Sequence, residues 1–372
     1  MDYRMRIEQD MQDYRPQMTS AERMQKYMAG ERVDHLPYLL HLADFAVAQI
    51  LGYKISDMKD LDVYSKVVDY IKNVLGVEGL SNRLSLRSMG AALGSKLEQP
   101  EDGIDVLTER VLNDYADFPK IEKIDPWDNP VLTPLMKRGM AIRERFPDVR
   151  ITTGVVCPLS TAVAIRPIEK ILKDSRKDKE NLHRLLQLTV DHNLTWVRAF
   201  TEEFGPGPCS ISAPLTSTDI LSKEQFDEFS YPYLEKLVNG LKEITGVKPS
   251  LHICGHTRGI WDDIKTLDVA SFSVDNVEDL AELKVVMGDI MPILGNVPPV
   301  EVMRFGTIED VVEACKSCIR KASTSPKGYI LGTGCQIPPG TSEENLKAFV
   351  WAARTFGAGA KKGEMPEGMS EA

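Results

Sequence analysis

The sequence predicts an α/β protein of the (β/α)8 barrel class, with an N-terminal helical extension. Eight short, β-rich apolar runs alternate with longer amphipathic stretches, which is the signature of a parallel sheet. The chain has 372 residues, enough for a barrel framework of roughly 250 residues plus additions. No Gly-x-Gly-x-x-Gly follows the first run, which argues against an open, doubly wound nucleotide-binding sheet.

Each element follows in turn. Within the first 35 residues, Thr19-Ser-Ala-Glu22 fits a capping box, and Met24, Tyr27 and Met28 follow at helical spacing. Residues 1–35 are therefore read as the helical extension and 36–360 as the barrel. The strands are expected at 36–40, 81–86, 150–156, 209–212, 250–253, 269–274, 291–294 and 329–331. Helices are expected at 168–172, 180–203, 223–243, 257–267, 277–287, 308–322 and 342–356. Residues 98–147 read as a proline-containing insertion. The Gly-, Lys- and Glu-rich end, 361–372, reads as a flexible tail.

Composition limits the function. Hydrophobic residues make up 42% and charged residues 27%, an ordinary globular balance. The net charge is −10, from 45 Lys+Arg against 55 Asp+Glu. That argues against a general nucleic-acid grip and against adhesion to an acidic membrane surface, both of which need a basic face. No apolar run reaches the roughly 20 residues of a membrane span, and the N-terminus carries no apolar signal core. Six cysteines are too few for a disulfide framework. The expected compartment is the cytoplasm, where cysteines are read for metals or nucleophiles before disulfides.

Barrel chemistry sits just past the C-terminal ends of strands. The fifth run ends in His252-Ile-Cys254-Gly-His256, and the eighth is followed by Gly332-Thr-Gly-Cys335. His252 and Cys254 are two apart, so both side chains leave an extended chain on the same side. A barrel brings Cys335 to the same mouth. One imidazole and two thiolates are the donor inventory of a catalytic zinc site, with a fourth position left for water or substrate. The competing reading is that each cysteine is ordinary core.

Other candidates are weaker. His41 and Asp44 follow the first run and are placed to touch substrate. Asp275 and Asn296 follow the sixth and seventh runs. They either orient substrate or cap the following turns. Cys315 and Cys318 lie on the apolar stripe of a helix and read as core, as do Cys157 and Cys209. His183 and His192 read as helix surface or packing. His256 either orients a metal ligand or is a solvated loop histidine.

Several segments together resemble the uroporphyrinogen decarboxylase superfamily. They are Leu251-His-Ile-Cys-Gly255, the Asp275 strand, Gly295-Asn-Val-Pro-Pro299, Phe305-Gly-Thr307 and Gly332-Thr-Gly-Cys-Gln-Ile-Pro-Pro-Gly-Thr-Ser-Glu-Glu-Asn345. Ser222-Lys-Glu-Gln-Phe226 and Tyr231-Pro-Tyr233 match the same superfamily. The likeness spans roughly residues 20–360 and implies a (β/α)8 barrel. Decarboxylases of this superfamily carry an arginine-rich segment after the first strand. Here Leu39-Leu-His-Leu-Ala-Asp44 has no arginine. The zinc-dependent methyltransferases that serve corrinoid proteins carry His-x-Cys and a distant Cys, matched by His252, Cys254 and Cys335. One departure is Ala213-Pro214, where that branch often has an acidic residue before the proline.

The resemblance therefore implies a zinc enzyme. It would move a methyl group between methylcobalamin on a separate corrinoid protein and a small substrate, either a thiol such as coenzyme M or a methylated donor. The corrinoid must come from the partner, because this chain has no Asp-x-His-x-x-Gly corrinoid motif. The alternative is a uroporphyrinogen decarboxylase-like tetrapyrrole enzyme. A non-catalytic barrel carrying a corrinoid is the third reading; a carrier has no need of an open metal site.

Overall fold

A computed structural model describes residues 3–121 and 123–370. Eight strands form one parallel sheet, with helices between successive strands. They are β1 (Tyr38–Leu39), β2 (Gly79–Ser81), β3 (Arg150–Val156) and β4 (Cys209–Ser212), then β5 (Ser250–Ile253), β6 (Ser271–Val274), β7 (Ile293–Val297) and β8 (Tyr329–Thr333).

The chain clusters into two compact units. The first contains residues 1–78 and 271–372. In it β1 pairs with β8, β8 with β7, and β7 with β6, all parallel. The second contains residues 79–270, where β2, β3, β4 and β5 pair in chain order, again in parallel. A doubly wound sheet keeps its first strand in the interior of the order. Here the first strand lies beside the last, Tyr38 opposite Leu331. That is the order of a (β/α)8 barrel, as predicted.

The strands are legible because parallel strands are covered on both faces. Every residue of β7 and β8 is buried, and so are the last four of β3. The helix Lys179–Phe204 anchors to β3 through Trp196, whose indole N–H donates to Thr153 Oγ1 at 3.0 Å.

Some boundaries move. The first strand is shorter than expected. The second begins earlier, at Gly79, and its ladder bonds continue from Asn82 N to Thr152 O and from Leu84 N to Gly154 O. It stops where Ser88 Oγ accepts from Ser85 N and Ser85 Oγ accepts from Arg87 N, so serine hydroxyls replace ladder partners. The helix expected at 223–243 is interrupted by a π turn, Phe226–Ser230, before Tyr231–Thr245. Pro232 has no N–H and would crowd the carbonyl one turn back, so the wider turn accommodates it. The stretch 257–267 shrinks to Arg258–Ile260 and Trp261–Ile264. The expected insertion holds a hairpin, Lys96–Glu98 with Val106–Glu109, and the helix Leu132–Arg145 that leads into β3.

The N-terminal extension forms helices Tyr3–Asp13 and Ser20–Ala29. Thr19 and Glu22 make the capping box reciprocally. Just before the expected tail, Val33 N donates to Ala360 O and Gly359 N to Asp34 O, both at 2.9 Å, and Ala360 is fully buried. Within the described part of the tail, Gly368 N donates to Ala358 O at 3.1 Å, and Arg32 pairs with Glu364 and Glu367. Residues 371–372 of that segment lie outside the described residues.

Candidate metal centre

The strand β5 alternates: Leu251 and Ile253 are buried, whereas Ser250 and His252 are partly exposed. Its last ladder bond runs from Ala213 N to His252 O at 2.8 Å. Cys254 follows on the His252 side of the strand, and His252 Nε2 lies 3.3 Å from Cys254 Sγ. Gly255 then turns the chain at φ +73°. A Cβ there would lie 2.3 Å from Asp219 Oδ2, so only glycine fits this close approach.

Cys335 stands two residues beyond the end of β8. Thr333 Oγ1 donates to Cys335 O at 2.7 Å, which holds the turn closed. A Cβ on Gly334 would sit 2.5 Å from Asn276 N, so the chain before Cys335 lies directly against the turn after β6. His41 is tied to the same place. Its Nδ1–H donates to Thr333 O at 3.0 Å, and its own carbonyl accepts from Ile337 N at 2.8 Å.

The donor atoms of His252, Cys254 and Cys335 all lie within 4.8 Å of one another, each residue partly exposed. Tetrahedral zinc, with Zn–S of about 2.3 Å and Zn–N of about 2.0 Å, places its donors about 3.5–3.8 Å apart. The donor set and its spacing therefore fit zinc. Two thiolates and a neutral imidazole also balance a dication's charge.

The remaining predicted residues divide. Asn296 is buried, and its amide nitrogen donates to Asp275 O at 3.0 Å and Glu278 O at 2.7 Å. Both amide protons are thus taken up by the turn after β6. The Asp275 carboxylate accepts from Val277 N at 3.3 Å, a turn-capping contact of the same kind.

The other thiols behave as core. Burial pushes Cys209 up to about 12 and Cys318 up to about 11, and raises Cys157 and Cys315 as well. His192 is buried, with Nε2–H donating to Ile121 O at 2.9 Å, and His183 stacks on Phe229.

Sequence reasoning missed the loop Ser217-Thr218-Asp219. Thr218 N and Oγ1 both donate to His256 O at 2.9 Å. The Asp219 carboxylate accepts from His256 N and from its Nδ1–H, each at 2.8 Å. The backbone N–H of His256, and then its imidazole, hold the Asp219 carboxyl below the usual carboxylate range. His256 is therefore a bound loop histidine. The signal available was a Ser-Thr-Asp run after β4, a residue set that favours local turns.

The model of the uroporphyrinogen decarboxylase (URO-D) family matches residues 19–356. The chain belongs to this family. Relatives matched along most of their length are methyltransferases. A methylated-thiol–coenzyme M methyltransferase of Methanosarcina mazei is 24% identical, over 91% of this chain and 90% of its own. A methylcobamide:CoM methyltransferase of the same organism is 24% identical, over 91% of this chain and 98% of its own. A solved structure described as a methyltransferase from Methanosarcina mazei superposes with a TM-score of 0.79 at 22% identity, covering 91% of this chain and 99% of the other. That likeness supports the barrel fold. A uroporphyrinogen decarboxylase of Microcystis aeruginosa is 31% identical, but over 47% of this chain and 48% of its own. The expected enzyme class, a methyltransferase, agrees with the names of the relatives matched along most of their length. Among the described residues, no helix is long and apolar enough to cross a membrane.

Proposed function

We propose that this URO-D family member is a cytoplasmic, zinc-dependent methyltransferase. It moves a methyl group between a corrinoid protein and a small substrate, either a thiol such as coenzyme M or, in the opposite direction, a methylated donor. The observation that carries the reading is the convergence of the His252, Cys254 and Cys335 donor atoms within 4.8 Å. The absence of arginine from Leu39–Asp44 speaks against a tetrapyrrole decarboxylase, whose substrate bears many carboxylates.

His252, Cys254 and Cys335 would hold the metal. Zinc, when bound, lowers the pKa of a thiol brought to its remaining position and keeps it nucleophilic at neutral pH. The chain's own groups set the stage for that chemistry. Thr333 holds the backbone of Cys335 through its hydroxyl. His41, anchored through Nδ1–H, keeps its ring beside the β8 end, where it contributes to the substrate's surroundings. The partly exposed donors leave an approach for a small substrate and for a partner's corrinoid.

Metal analysis of the purified chain tests this. The expected result is about one zinc per chain, lost in His252→Ala and Cys335→Ala. Methylcobalamin incubated with candidate thiols should lose its methyl group, read by cobalamin absorbance. A metal-free protein that binds porphyrinogens would overturn the reading.

A further inference from the structure

The Ser217–Asp219 loop grips His256 four ways, and His256 lies only two residues beyond Cys254. Thr218 holds its carbonyl by two donors, while Asp219 holds its backbone N–H and its imidazole. The platform is itself fixed. Ser217 is 2% exposed and Thr216 fully buried, and Ser217 O accepts from Ile220 N and Leu221 N, both at 3.2 Å. Gly255 is pressed against this loop, with Asp219 Oδ2 and Ser217 Oγ at 2.3 and 3.0 Å from where its Cβ would be.

Cys254 thus sits between two fixed points. One is the last ladder bond at His252 O, and the other is the grip on His256. Without the second, Cys254 would belong to a loop, and ordering that loop would be charged against metal binding. We propose that Asp219, assisted by Thr218, is a positioning residue for Cys254 that pre-arranges it for the metal. This rests on the zinc reading above.

The Asp219–His256 pair is open to solvent, with side-chain exposures of 46% and 62%. Exposed pairs contribute little to fold stability. Its effect should therefore appear in metal affinity and not in the melting of the metal-free chain. Partners one step removed from a metal typically change affinity by roughly 10- to 100-fold.

The test uses the full-length chain, cobalt(II) as probe and a competing chelator, with the cobalt absorption spectrum as a second readout. Asp219→Ala should weaken cobalt binding by roughly 10- to 100-fold and alter its thiolate charge-transfer band. The metal-free variant should melt within about 3 °C of wild type. Asp219→Asn should regain most of the affinity. Its Oδ1 can accept from His256 N, and its amide N–H can donate to Nδ1 once the ring takes the other tautomer. Thr218→Val should give a smaller loss, and these two variants carry the test if the alanine variant does not fold. Equal cobalt affinity in wild type and Asp219→Ala overturns the inference alone. A wild-type chain that takes up no cobalt overturns the metal reading and the inference with it.

Discussion

The Tyr14 hydroxyl donates to His35 Nε2 at 3.1 Å, while Nδ1–H of the same ring donates to Leu36 O at 3.0 Å. Both ring nitrogens are therefore satisfied only by the neutral imidazole. His35 is 3% exposed, and it joins the N-terminal helices to the start of the barrel. Burial, followed by the nearby charge of Arg23, lowers its pKa from 6.5 to about 4.

A pH dependence of stability follows. The unfolded chain takes up this proton first as pH falls, so the folded state loses its advantage there. The stabilisation is complete above about pH 6.5 and declines as pH drops toward 4, where it levels off. Its full size is about 3 kcal/mol. Urea unfolding between pH 7 and 5 should show the decline in wild type and a flatter profile in His35→Gln. A wild-type profile as flat as that of the variant refutes the assignment.

Gly334→Ala addresses the cysteine end of the site. The new methyl group would meet Asn276 backbone nitrogen at 2.5 Å, an atom that cannot step aside alone. Either the β8 turn or the β6 turn must shift, at about 1–3 kcal/mol. Cys335, the next residue, moves with it. Zinc affinity should fall by at least about tenfold, measured by chelator competition. Unchanged affinity with unchanged stability would contradict the packing described.

The six cysteines should separate by reactivity. Cys254 and Cys335 are partly exposed, whereas Cys157, Cys209, Cys315 and Cys318 are buried. The thiolate is the reactive form, and burial disfavours it in the last four. A chromogenic thiol reagent should titrate two thiols in the native metal-free chain and six in denaturant. Added zinc should slow the two. Rapid native labelling of Cys315 or Cys318 would count against the buried placement.

The strands were readable because their apolar runs are short and nearly continuous, as in Ile293–Val297 and Arg150–Val156. His252 and Cys254 were readable because strand periodicity forces their side chains to one side. The grip on His256 was not readable, since it joins residues distant in sequence and uses backbone atoms at several of its contacts. The π turn at Phe226–Ser230 answers a proline, yet a proline alone does not say whether a helix kinks, ends or widens. The contacts of the C-terminal segment were not readable, because glycine and lysine signal looseness only until a partner surface appears, here Arg32 and Ala358.

The pairing of Tyr38 with Leu331 ties β1 to a strand made long after it. A ribosome must therefore expose β1 long before its neighbour exists. A premature stop anywhere upstream of β8 would therefore also damage β1, leaving Tyr38 and Leu39 as an uncovered edge ready to recruit another polypeptide.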